Sequence, residues 1–193
     1  MKYTALAGGV GGAKLANGLA KLVPPEDLCI IVNTGDDFEY LGFYICPDID
    51  TMMYNLAGIN NPDNGYGLMG DTYNVITGLE KLGHEIWFRI GDTDIANQIH
   101  RTGKLKSGVL LSDIVEETSK RLGIYHQIVP MSNEPVRTMV LTNEDLTLSF
   151  QEYFVKYHFQ PVVKKIIFEG SKISTLPERA RLHLESSKVV IIC

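Results

Sequence analysis

A chain of 193 residues, 45% hydrophobic and 21% charged, has the composition of an ordinary globular domain with a sizeable core. Its 18 basic and 23 acidic side chains leave a net charge of −5, which argues against nonspecific binding to a nucleic acid polymer or an anionic membrane. No apolar run approaches the ~18 residues of a membrane span, and the first residues turn glycine-rich too early for a signal peptide.

In chain order, Tyr3 to Ala7 reads as a strand and Ala13 to Leu22 as a helix, with Leu15, Leu19 and Leu22 at helical spacing. Leu28 to Val32 is a buried strand, and a polar, glycine-bearing stretch runs from Asn33 to Cys46. Helices are expected from Asp50 to Ala57 and from Asp71, as cap, to Gly83. Ile86 to Ile90 reads as a strand and Thr93 to Arg101 as a helix. Ser112 to Leu122 is amphipathic, with Ser112 as cap and Gly123 as stop. Val136 to Leu141 and Leu146 to Phe150 flank a hairpin turn; Val162 to Phe168 is a strand, Pro177 to Leu184 a helix, and Lys188 to Cys193 a last strand.

Strands alternating with helices imply the α/β class: a mostly parallel sheet with helices on both faces and a smaller β-containing region. The expected divisions are a core at 1–130, a β-rich insertion at 131–170, and a return to the core at 171–193. A buried strand normally leads into a functional loop, so stopping on one is the pattern of a truncated chain. Cys29, Cys46 and Cys193 have no paired spacing, which points to free thiols and a cytoplasmic setting. The five histidines show no ligand spacing.

Three segments carry chemistry. Gly8-Gly9-Val10-Gly11-Gly12-Ala13-Lys14 joins a strand to a helix, where glycines permit close approach and the helix end attracts phosphate. It lacks GK[ST] and fits the dinucleotide fingerprint loosely; a mere packing turn is the plainer alternative. Asp36, Asp37, Asp48 and Asp50 form an acidic cluster beside it, a pattern that suits Mg²⁺ bridging carboxylates to phosphates. A helix cap at Asp50 and a ribose contact at Asp36 are the competing readings. Arg89-Ile90-Gly91-Asp92-Thr93-Asp94 stands where a parallel strand is expected to give way to a helix, so Arg89 is placed to clamp a phosphate or stack on a flat ring; for any one residue alone, a surface arginine or an aspartate cap is the plainer reading.

Taken together and in order, Ala7 to Lys14, Val32-Asn33-Thr34-Gly35-Asp36-Asp37, Pro47-Asp48-Ile49-Asp50-Thr51, Gly91-Asp92-Thr93-Asp94, Pro130-Met131-Ser132 and Phe150-Gln151-Glu152-Tyr153-Phe154 resemble the 2-phospho-L-lactate transferase family of coenzyme F420 biosynthesis. The resemblance runs the length of the chain. It implies a Rossmann-like core and an Mg²⁺-dependent transfer of a phosphorylated three-carbon acid from a guanosine diphosphate-type donor to the ribityl hydroxyl of the deazaflavin FO, with release of GMP. It matches Asp50 and Arg89 to FO-contacting positions; the chemistry of the transfer then expects Asp50 to orient or deprotonate the hydroxyl, or to bind the metal near it. Gly9, Gly11, Gly12, Lys14, Asp92 and Asp94 complete the expected substrate site; Asp36, Asp37, Asp48 and Asp50 are the expected metal ligands.

The resemblance also implies residues beyond Cys193 that complete the nucleotide pocket, so weak turnover is expected of these 193 residues alone. Arg89 stands where some members have lysine, Thr93 where arginine is frequent, and Ser132-Asn133-Glu134-Pro135 replaces a more acidic run. Two other classes compete: a non-enzymatic nucleotide-sugar-binding regulator on the related fold, and an NAD-dependent dehydrogenase. Association into a homodimer is compatible with the sequence.

Overall fold

The computed structural model describes residues 1–193. Strand β1 (Tyr3–Ala7) turns at Gly8 into α1 (Gly9–Ala20), and β2 (Leu28–Val32) leads to a hairpin of β3 (Phe38–Tyr40) and β4 (Phe43–Ile45). Four helices follow: α2 (Pro47–Ala57), α3 (Asn74–Lys81), α4 (Asp92–Lys106) and α5 (Leu111–Arg121). Then come β5 (Gln127–Pro130), β6 (Arg137–Thr142), β7 (Thr147–Ser149), a π-helical turn at Glu152–Lys156, β8 (Val163–Glu169), α6 (Glu178–Ser186) and β9 (Val189–Ile192).

The central sheet is fully parallel, in the order β5-β2-β1-β9. Ala5 pairs with Ile30 on one side and Ile191 on the other. Every residue of β2 is buried, as an unbroken Leu-Cys-Ile-Ile-Val run demands of a strand covered on both faces. Its alternation sorts the layers. Leu28, Ile30 and Val32 join the main core with α1, α2 and α5, while Cys29 and Ile31 pack with Ala180 of α6 on the opposite face. The sheet is α/β with helices on both sides, as the composition of the segments indicated.

Two smaller sheets stand apart from it: the β3–β4 hairpin and an antiparallel sheet in the order β7-β6-β8. The hairpin lay unseen in the polar stretch 33–46. Its two-residue turn needs positive φ at both positions, and Leu41 (φ 52) takes one of them beside Gly42 (φ 80). A leucine there hides the turn signal. Strand β5 was also missed, because four residues ending in Pro130 are too short to read; a proline is tolerated on this edge strand.

Ile86 to Ile90 is not a strand. The run is apolar because Trp87 and Phe88 pack on Phe38 and Tyr40, with ring centroids 5.0 to 6.2 Å apart. The Trp87 N–H donates to the Tyr40 hydroxyl at 3.3 Å instead of a neighbouring strand. This second cluster, with Ile45, Ile76, Ile90 and Ile95, fastens the hairpin to α3 and α4. Ser112 is not a cap either: α5 begins at Leu111, and the Ser112 N–H is held by the Asn133 side chain at 2.8 Å.

Candidate functional site

Along the sheet, the chain moves from β1 to β2 to β5 in one direction and adds β9 on the other side of β1. The order therefore reverses between β1 and β9, and ligands of open α/β sheets bind in the crevice at such a point, beyond the strands' carboxyl ends. The β1–α1 turn lies there. The glycine segment is itself the first turn of α1, so its N–H groups carry the positive end of the helix dipole. Gly9 has φ 63, a left-handed value that favours glycine. Gly9 and Gly11 are exposed, Gly12 is buried against Ala7, and Lys14 is exposed on α1.

Asp48, from the first turn of α2, ties this turn to the loop after β2. Its Oδ1 accepts from the Gly9 N–H at 2.9 Å and its Oδ2 from the Asn33 Nδ2 at 2.9 Å. A Cβ at Gly8 would stand 2.8 Å from Asp48 Oδ2, so glycine is what lets the carboxylate sit this close. Asn33 in turn accepts from the Gly35 N–H at 3.0 Å, shaping the loop that carries Asp36. Burial, and then the charge of Asp48, pushes Asp36 up to about 6.

The other two cluster aspartates lie in a separate, buried network. Asp37 accepts from the Cys46 thiol at 3.2 Å, while its Oδ1 has no partner; burial raises its pKa to about 8. Asp50 is bound by four donors. Asn97 and Arg101 donate to Oδ1, and Gln98 (2.9 Å) and Arg101 (3.1 Å) to Oδ2. An ionised carboxylate offers about four lone-pair sites, so all are occupied here. Asp50 caps no helix: α2 starts at Pro47 with no side-chain cap. Asp94 belongs to the same network, accepting from the Tyr54 hydroxyl at 2.6 Å and from Gln98 at 3.0 Å; burial, then Asp50, pushes it up to about 6.

Asp92 and Asp71 cap each other's helices. Asp92, at the start of α4, accepts from the N–H groups of Asn74 and Val75 in α3. Asp71, just before α3, accepts from the N–H groups of Thr93 and Asp94 in α4. Asp71 thus serves α4, not the helix that follows it. Arg89 follows no strand; its exposed guanidinium lies 5.2 Å from the Tyr73 ring and 3.6 Å from Glu80.

The structure thus brings Gly9, Asp36 and Asp48 together at the sheet edge and sets Asp37, Asp50 and Asp94 in the interior. No three His, Cys, Asp or Glu side chains converge as a ready metal cage. Sequence reasoning missed Asn33 as the loop's organiser, and Tyr54, Asn97, Gln98 and Arg101. The signal was present: residues 94, 97, 98 and 101 follow the i, i+3, i+4, i+7 spacing of one helix face, here the polar one that is buried.

Two crystal structures of a upf0052-family protein, BH3568 of Bacillus halodurans, match with TM-scores of 0.59 and 0.61 over 98% of this chain and 57% of theirs, at 13% and 15% identity. That likeness is one of fold. The family model for 2-phospho-L-lactate transferase CofD matches residues 3–193. The chain belongs to the 2-phospho-L-lactate transferase family. Among relatives bearing that name, the Methanococcus maripaludis protein is 39% identical over 100% of this chain and 63% of its own length. The Methanopyrus kandleri protein is 39% identical over 100% and 61%, and the Methanocaldococcus jannaschii protein 37% identical over 98% and 62%. The chain therefore spans somewhat under two thirds of the length of these relatives. No helix is long and apolar enough to cross a membrane.

Proposed function

We propose that this chain carries the donor-phosphate site of a transferase that moves a phosphorylated three-carbon acid from a guanosine diphosphate-type donor to FO in coenzyme F420 biosynthesis. The observation that carries the reading is the β1–α1 turn at the sheet's reversal point, where the exposed Gly9 and Gly11 stand beside the Asp36–Asp48 pair. In the reaction the terminal ribityl hydroxyl of FO attacks the distal phosphorus. A new P–O bond forms, the P–O bond to GMP breaks, and the hydroxyl proton leaves to water. Phosphoryl transfer asks the protein mainly for positioning and charge stabilisation. The α1 N-terminus supplies both to the donor phosphates.

The residues fit a divalent cation. Asp36 and Asp48 are neighbouring carboxylates whose mutual repulsion already raises the proton affinity of Asp36, and Mg²⁺ commonly uses one or two carboxylates plus substrate phosphates. Asp36 and Asp48 would hold it, and Mg²⁺ when bound offsets charge on the transferring phosphate. Asp50, saturated by its donors, acts as a positioning residue that ties α2, which carries Asp48, to Asn97, Gln98 and Arg101 of α4. Arg89, exposed and only loosely paired, is the cation available to the acceptor. The free Cys29, Cys46 and Cys193 suit a cytoplasmic setting.

The test is a discontinuous assay with FO, the guanosine-linked donor and Mg²⁺, following GMP and the phosphodiester product. Equimolar formation of both, abolished by chelation of Mg²⁺, is the expected result. Binding of a nucleotide sugar with no affinity for FO or guanosine nucleotides would overturn the reading in favour of a regulator.

A further inference from the structure

The run Gly8 to Gly12 holds four glycines and a single side chain, that of Val10. Glycine loses more conformational freedom than any other residue when it is fixed. A glycine turn held by nothing else must be ordered by its ligand, at the expense of affinity. Val10 is the handle by which the rest of the chain can hold this turn. Its β-branched side chain has one strongly preferred rotamer in a helix, so fixing its methyl groups fixes the backbone that carries them.

The loop after α2 grips that handle. Gly65 is buried while Asp63, Asn64 and Tyr66 around it are exposed. It packs on Val10 so closely that a Cβ would stand 2.4 Å from Val10 Cγ1, and its φ of +84° is a left-handed value. The loop is closed on itself. The Met69 N–H donates to the Ile59 carbonyl at 2.9 Å, the Asn61 N–H to Gly67 at 3.0 Å and the Gly65 N–H to Asn61 at 2.9 Å. Ile59 and Leu68 pack its base against the main core. Asn55, buried near the end of α2, donates its amide to the Gly65 carbonyl at 3.2 Å and to the Thr51 carbonyl at 2.8 Å. One helix thus holds two successive residues of the turn. Asp48 takes the Gly9 N–H directly, and Asn55 holds Val10 through Gly65.

We propose that Asn55, Gly65 and Val10 are positioning residues, a brace that sets the glycine turn in its phosphate-binding shape before the ligand arrives. The role rests on the transferase reading, which puts the donor phosphates at this turn; the three side-chain and backbone contacts act through the turn and not on the phosphates. Such preorganisation tightens binding by lowering the ordering cost, with no contact added to the ligand. A packing contact that served only the fold would lower the melting temperature and leave the affinity of the folded protein unchanged.

The test compares the natural protein with Asn55→Ala, Val10→Ala, the double variant and Val10→Thr, each well below its melting temperature. Backbone order parameters of Val10 and Gly11 come from ¹⁵N relaxation, and affinity for GDP with Mg²⁺ from calorimetry. Both single variants should lower the order parameters and weaken GDP by about fivefold or more. The double variant should bind no more weakly than the weaker single one, as two parts of one device require. Val10→Thr keeps the branched shape and should stay within about twofold of the natural protein. If Asn55→Ala does not fold, the half-buried Val10 position carries the test by Val10→Ala against Val10→Thr. Order parameters that do not change, or that fall while GDP binds as before, overturn the brace and leave the transferase reading standing. So do losses that multiply in the double variant. No GDP binding by the natural protein removes that reading and the role with it.

Discussion

Asp50 receives four donors, and two of them come from one buried guanidinium, that of Arg101. Removing one member of a buried ion pair strands the other charge, at ~3–5 kcal/mol. Asp50→Asn is therefore expected to lower the melting temperature markedly, and any loss of turnover should follow that loss of fold. An unchanged melting temperature with turnover abolished would return Asp50 to a direct role. Asp37 gives the pH dependence. Its folded pKa of about 8 lies above the unfolded value of 3.8, so its contribution is full below 3.8 and is lost as pH rises through about 8. Asp36 and Asp94, each at about 6, act the same way over a lower window. Between pH 6 and 8 the melting temperature should fall in the natural protein and fall less in Asp37→Asn; equal slopes would contradict this. At this scale the sequence showed which aspartates cluster in the chain. It did not show that Asp36 and Asp37, adjacent in sequence, face different surroundings.

Helices α3 and α4 start beside each other because each begins with the other's cap. Gly91 makes this possible: a Cβ there would come within 2.1 Å of Asp71 Oδ2. Asp71→Ala should cost ~0.5–2 kcal/mol, the usual worth of a lost cap, and should speed amide exchange at Thr93 and Asp94, whose N–H groups it holds. Exchange unchanged at those two amides would contradict the assignment. The Gly-Asp-Thr-Asp motif was legible as a helix start, but its purpose was not, since the partner Asp71 lies 22 residues before Thr93. The strand expected at Ile86 to Ile90 failed for a related reason. Apolar runs report burial, and only tertiary context shows whether a sheet or an aromatic cluster provides it.

At the scale of the chain, β2 of the parallel sheet is covered on both faces while β8 of the antiparallel sheet lies open. All seven residues of β8 are exposed, among them Val163, Ile166, Ile167 and Phe168, and β8 is an edge strand. An apolar edge of this kind is a template for pairing with another chain. Self-association that rises with concentration is expected by light scattering, and Ile166→Lys should suppress it; equal masses for both proteins at all concentrations would contradict this. The parallel sheet was legible because β1 and β2 are unbroken runs near the start of the chain. Its strand order was not, and that order is what locates the site, since the reversal between β1 and β9 depends on a strand some 180 residues away in sequence from its neighbour, as the Tyr3–Val189 pairing shows.

The central claim is that the α1 N-terminus and the Asp36–Asp48 pair bind the donor's phosphates through a shared cation. The most direct measurement is calorimetric binding of GDP, with and without Mg²⁺, by the natural protein and by Asp48→Asn, which keeps an oxygen to accept from the Gly9 N–H. GDP affinity that depends on Mg²⁺ in the natural protein and loses that dependence in Asp48→Asn is the expected result. GDP binding that ignores both Mg²⁺ and the substitution would contradict the account.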